Sequence, residues 1–133
     1  MARQTQSASK IPLPTEAELA ILNVLWNRGP STVREVHTAL RGRGTGYTTA
    51  LKQMQVMTEK GLLTRSERFR SHVYEARMSQ ERTRLLLTRN LLQRAFDGSA
   101  KNLVLGVLSA QSVSASELAE IRQMLDRFEK REL

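Results

Sequence analysis

The chain has 133 residues, 40% of them hydrophobic, enough for one domain or two small ones with a buried core. It contains no cysteine, which excludes a disulfide framework, a thiol nucleophile, a zinc ribbon and a cysteine metal sensor. The net charge of +8 is concentrated in residues 1 to 78, with 12 Lys+Arg against 6 Asp+Glu, whereas residues 79 to 133 hold 9 against 7; a polyanion-binding part followed by a protein-binding part is expected.

Residues 1 to 11 are polar and are expected to form a flexible basic tail, with Arg3 and Lys10 able to reach phosphates. They contain no apolar run of signal-peptide type, and nowhere do 18 consecutive apolar residues occur, so a soluble, cytoplasmic protein is expected. Thr15 and Glu18 form a capping box after Pro14, opening a helix with Leu19, Leu22, Leu25 and Trp26 at helical spacing as far as Asn27. Trp26 is expected to anchor the core. Arg28, Gly29 and Pro30 break the chain, and a second capping box, Thr32 with Glu35, starts a helix carrying Val33, Val36, Ala39 and Leu40 to about Arg41. The glycines of RGRGTG, residues 41 to 46, follow a helix rather than a strand of a βαβ unit, so they are read as a turn and not as a phosphate loop. Arg41 and Arg43 there are available to a DNA backbone.

The stretch from Gly46 to Ala76 is the most informative. Thr48 or Thr49 caps a helix whose core face is Ala50, Met54 and Met57. Its other positions carry Thr49, Lys52, Gln53, Gln55 and Val56, and Thr, Lys and Gln hydrogen-bond phosphates or base edges in a major groove. Lys60 and Gly61 stop this helix. Leu62 to Arg68 and His72 to Ala76 read as two short strands with Phe69, Arg70 and Ser71 at the tip, and Arg65, Arg68 and Arg70 supply phosphate-directed charge. Three helices and a hairpin make a winged helix-turn-helix, here residues 12 to 78.

Residues 79 to 133 change character. Ser79 caps a helix in which Leu85, Leu86, Leu87, Leu91, Leu92, Ala95 and Phe96 cover more than one face before Asp97 and Gly98 end it. Ser99 opens a short helix with Leu103, Val104, Val107 and Leu108. A third capping box, Ser114 with Glu117, precedes Leu118, Ile121, Leu125 and Phe128 on one seam under two heptads long. Leu85, Leu92, Phe96, Leu103, Val107, Leu118, Ile121, Leu125 and Phe128 are the candidate dimerisation residues, with a small intramolecular bundle as the alternative. The fold class is therefore mainly α with a small β-hairpin wing, and the expected target is a palindrome in double-stranded DNA, since a two-fold dimer reads two half-sites.

The competing classes have less behind them. The two histidines, His37 and His72, have no triad or metal-ligand partner at motif spacing, so no catalytic residue, metal or cofactor is assigned. A winged helix used only for protein contacts would not need the basic face, and a ligand-responsive repressor fits the same residues.

Taken in order, LPTEAELAILNVLW, STVREV, YTTALKQMQVMTEKGLLTR, VYEA and FDGSAKNLVLGVL resemble the penicillinase-repressor family of transcriptional regulators over residues 11 to 129. The resemblance implies a bacterial, cytoplasmic, dimeric repressor on palindromic operators, controlling β-lactam resistance genes or its own operon. It further implies induction by a membrane sensor protease system that leads to cleavage in the C-terminal domain. The scissile region falls in LVLGVL, where this chain has Gly106 and Val107 in place of the Asn-Phe of the best-known members. The family's copper-sensing branch uses C-terminal cysteines that this chain lacks, and Val56 stands where relatives often have arginine.

Overall fold

The computed structural model describes residues 12–41, 45–68 and 70–132. The expected tail with Arg3 and Lys10, the glycine turn at 42–44 with Arg43, and Phe69 at the wing tip lie outside the described residues. The elements are α1 (Glu16–Arg28), α2 (Val33–Ala39), α3 (Tyr47–Lys60), β1 (Leu63–Arg68), β2 (Ser71–Ala76), α4 (Gln80–Phe96), α5 (Ala100–Ala110) and α6 (Ala115–Glu132). The expected class, mainly helical with a two-strand wing, is the observed one. The chain divides into two compact units, one ending at Thr88 and the other beginning at Arg89, within α4.

In the first unit both N-terminal capping boxes form in full. Glu18 N–H donates to Thr15 Oγ1 at 3.2 Å while Thr15 N–H donates to Glu18 Oε1 at 2.9 Å, and Thr32 and Glu35 repeat the arrangement at 3.1 and 2.9 Å. Each box satisfies two orphan donors and so fixes where a helix begins. The helices bury Ile21, Leu22 and Leu25 from α1, Val33 and Val36 from α2, and Ala50, Met54 and Met57 from α3 in one cluster with Leu62, Leu63 and Tyr74. Each large apolar side chain buried this way stabilises the unit by roughly 1.5–3 kcal/mol before the entropy of ordering is counted. Trp26 corrects its expectation in part. It is half-buried at the rim of this cluster, because its indole Nε1–H reaches out to donate to the Met78 carbonyl at 2.9 Å.

Two further corrections concern helix ends. The cap of α3 is Gly46, not Thr48 or Thr49: it is extended at φ −78°, ψ 167°, and its carbonyl accepts from Ala50 N–H at 3.0 Å. Both threonines are already helical. At the other end Gly61 takes φ 91°, and Leu62 N–H closes back on the Met57 carbonyl at 2.9 Å, so Leu62 ends the helix and β1 begins one residue later than expected.

The hairpin is antiparallel, pairing Leu63 with Ala76, Arg65 with Tyr74, Glu67 with His72 and Arg68 with Ser71. Its root is tied to the α1–α2 turn by an isolated bridge in which Ser31 N–H donates to the Tyr74 carbonyl at 2.9 Å and Tyr74 N–H to the Ser31 carbonyl at 2.8 Å. A second tie joins Glu18, buried at the start of α1, to the last turn of α3, where Lys60 Nζ donates to Glu18 Oε2 at 2.7 Å.

In the second unit, Ser99 caps α5 by accepting from Asn102 N–H at 3.1 Å, and Ser114 Oγ accepts from Glu117 N–H at 3.0 Å, the half of the third box that forms among the described residues. No residue of α5 is buried. Gly106 lies under the Phe96 ring, whose carbons sit 3.5 Å from where a β-carbon would start.

Burial by itself raises the Glu18 carboxyl, but the hydrogen bonds from Lys60 and Thr15 and the Lys60 charge outweigh it and hold the group below 4.5. A carboxylate depressed in the folded state adds stability above its unfolded value, and that stability is lost as pH falls through the folded value. Glu18→Gln is therefore expected to lower stability at pH 7 by about 1.5–3 kcal/mol, the range for a hydrogen bond to a charged group. In urea titrations the gap between variant and wild type should close as pH falls below 4.5; an equal gap at pH 7 and pH 3 would contradict the assignment.

Candidate nucleic-acid interface

The face of α3 opposite its core side carries Thr48, Thr49, Lys52 and Gln55, all exposed, while Ala50, Met54 and Met57 have no accessible surface. Four of the five helix residues expected to face DNA thus share one outward surface, about 10 Å from Thr48 to Gln55 by helix rise. Gln53 stands apart. It is half-buried on the flank toward α1, beside Glu16, Ala17, Leu40 and Thr45 in a shallow cleft of about 220 Å³. Val56 is half-buried too.

The basic residues fall on three elements. Arg41 is exposed just beyond α2. Arg65 and Arg68 are both exposed, but the pairing register puts them on opposite faces of the hairpin, Arg65 on the face of Leu63 and Tyr74 and Arg68 on that of Ser66 and Val73. Arg70 sits at the tip with φ 66°, a left-handed conformation that glycine or asparagine adopts with less strain.

Two residues that sequence reasoning passed over join this surface. Tyr47, the first residue of α3, is 40% exposed, and the Arg34 guanidinium of α2 stacks over its ring at 5.4 Å from the centroid. His37 meets the same ring edge-on at 5.9 Å and donates from Nε2 to the Thr45 carbonyl at 2.9 Å, so it serves packing between α2 and the start of α3. Arg34, Tyr47, Ser71 and His72 line a cleft of about 390 Å³ between α2, α3 and β2. The only local signal was an aromatic residue opening a polar helix face, and nothing in the spacing linked it to an arginine in the preceding helix.

The candidate dimerisation residues belong to the other unit, apart from Leu85 at the start of α4. Leu85 (46%), Val107 (49%), Leu125 (62%) and Phe128 (57%) are exposed, with Leu92, Phe96, Leu103, Leu118 and Ile121 half-buried. The Gly106–Val107 peptide lies inside α5, in continuous helix.

A family model described as penicillinase repressor matches residues 14–127. The chain belongs to the penicillinase repressor family. A curated relative, the penicillinase repressor of Bacillus licheniformis, is 25% identical over 123 residues, covering 92% of this chain and 96% of its own length. Family membership makes this repressor a DNA-binding transcriptional regulator, a non-enzymatic role, in a family linked to antibiotic resistance. Among the described residues of this repressor, no helix is long and apolar enough to cross a membrane.

Arg70→Gly separates backbone from charge at the wing tip. The variant is expected to unfold at the same or higher denaturant concentration, since it relieves the left-handed strain, yet to lose about one unit of the salt slope of DNA binding. Unchanged DNA affinity would mean that the arginine is not held there for a phosphate.

Proposed function

We propose that this protein is a dimeric repressor of palindromic operators, in which Thr48, Thr49, Lys52 and Gln55 enter the major groove. Arg65, Arg68, Arg70, Arg41 and Arg43 lie along the phosphates, and Gln53 reaches only bases at the margin of the contact. The observation that carries the reading is the division of α3 into a fully buried apolar side and an exposed side made of hydrogen-bonding residues. Such a helix, rigidly seated and followed by a basic hairpin, is the arrangement in which base edges are read by side chains and register is set by cations.

The dimer rests on exposed apolar surface. Leu105 (58%), Val104 (51%), Val107, Leu125 and Phe128 together exceed what scattered surface residues explain, and a second copy of the same surface is the partner that gives a closed two-fold assembly. Its occupancy places two recognition helices on one duplex. Bound at a promoter, the dimer blocks polymerase. A protease-dependent release through α5 is supported by one feature: the Gly106–Val107 bond is in a helix with an interior glycine, which lowers the intrinsic cost of the unwinding that cleavage requires. A membrane sensor protease controlling a β-lactam resistance operon is the system this release implies.

Lys52→Ala and Gln55→Ala are expected to reduce discrimination between the best site and random duplex by about 1–3 kcal/mol each, measured by competition binding. Equal loss on both duplexes would remove them from base readout. Leu125→Glu should sediment as a monomer and lose the high-affinity complex while each winged unit stays folded; a surviving dimer would move the interface elsewhere. Gly106→Ala should stabilise α5 by about 1 kcal/mol and slow amide exchange there about fivefold, because the added methyl meets Phe96 at an ordinary contact distance. Unchanged exchange would show that glycine is not what keeps this helix weak.

A further inference from the structure

We infer that the cleft between α2, the first residue of α3 and β2 seats one backbone phosphate of the bound duplex, with Arg34 as its cation and Tyr47 as the platform that holds Arg34 in place. This rests on the DNA-binding reading above and adds a contact on an element, α2, that the reading leaves unused.

Arg34 has no anionic partner inside the fold among the described residues. It is exposed, and its neighbour Glu35 is paired instead with Arg28 at 3.6 Å. It also lies in the first turn of α2, next to the positive end of the helix, where a cation is disfavoured. Yet its position is fixed. The guanidinium lies over the Tyr47 ring at 5.4 Å, the ring is met edge-on by His37 at 5.9 Å, and His37 is held by the Thr45 carbonyl at 2.9 Å. Three successive contacts thus orient an exposed, unneutralised charge, and orienting a cation before binding lowers the entropy lost when an anion arrives.

The other groups around the cleft match a phosphodiester. Ser71 and Tyr47 bring hydroxyl donors and His72 an imidazole, and a guanidinium with hydroxyls is the donor set that phosphate oxygens accept from. The location matches as well. The cleft opens between the start of α3, which enters the major groove in the reading above, and the tip end of β2, so the strand separating the two contacts passes over it. A contact of this kind sets register and carries no sequence information.

The test uses the full-length protein and two duplexes of equal length, the tightest sequence recovered by selection and a random one, with affinity measured across salt concentrations. Arg34→Ala is expected to weaken both duplexes by the same factor, about five- to tenfold near 0.1 M salt, and to lower the salt slope by about 0.9. Arg34→Lys should restore the slope, and Tyr47→Leu should weaken binding of both duplexes while keeping most of the slope. Single methylphosphonate replacements along the selected duplex should then reveal one position that costs the wild type affinity and costs Arg34→Ala nothing. An unchanged slope in Arg34→Ala, a loss confined to the selected duplex, or the absence of such a position would overturn the assignment while leaving the repressor reading intact. Failure of the wild type itself to retain any duplex would overturn both.

Discussion

The geometry of the first unit depends on where β2 is pinned, and that is decided by Tyr74. Its side chain is 1% exposed in the core, and its backbone exchanges both hydrogen bonds with Ser31, which is itself 1% exposed and donates from Oγ to the Gly29 carbonyl at 2.8 Å. A two-stranded hairpin has little stability by itself. Here its root is tied to Ser31 by an isolated bridge, and the residues beyond it, including Arg68 and Arg70, inherit their position from that pairing. The short turn through Gly29 and Pro30 brings Ser31 to β2, so the break between the first two helices is also what aims the wing.

α3 is clamped by different means at each end. At its C-terminus the Lys60–Glu18 pair and the left-handed Gly61 hold the last turn against the start of α1, and Glu18 serves at once as the reciprocal half of a capping box and as the partner of a lysine 42 residues away. At its N-terminus no side chain caps the helix, and Tyr47 is steadied by His37 and Arg34 instead. A helix held at both ends and fully buried along one side presents its outer residues with little freedom to rearrange, which is what discrimination between base pairs requires.

Local chemistry was legible in the sequence. Thr15 with Glu18 and Thr32 with Glu35 announced two helix starts because a capping box is complete within four residues, Gly61 announced a stop, and the spacing of Ala50, Met54 and Met57 gave the buried side of α3. What was not legible depended on neighbours distant in the chain. Gln53 looks equivalent to Lys52 in a list of polar positions, but it falls on the side where α1 packs. Arg65 and Arg68 look like one patch until pairing with Tyr74 and Ser71 sends them to opposite faces. Arg34 and Tyr47 are 13 residues apart on different helices, a separation no periodicity reports. The Gly46 cap was missed because side-chain rules favour threonine, whereas an extended glycine leaves the first turn to its backbone.

The two units differ in burial: one buries its core and exposes polar, basic surface, and the other leaves its apolar helices largely uncovered in a single chain. Association through the second would turn a weak, salt-sensitive contact by the first into recognition of two related half-sites. The most direct measurement is selection of genomic fragments by the purified full-length protein at physiological salt, followed by sequencing. Enrichment of a palindrome with half-sites about one helical turn apart is the expected result. Unselective retention that disappears as salt is raised would contradict it and leave only generic polyanion binding.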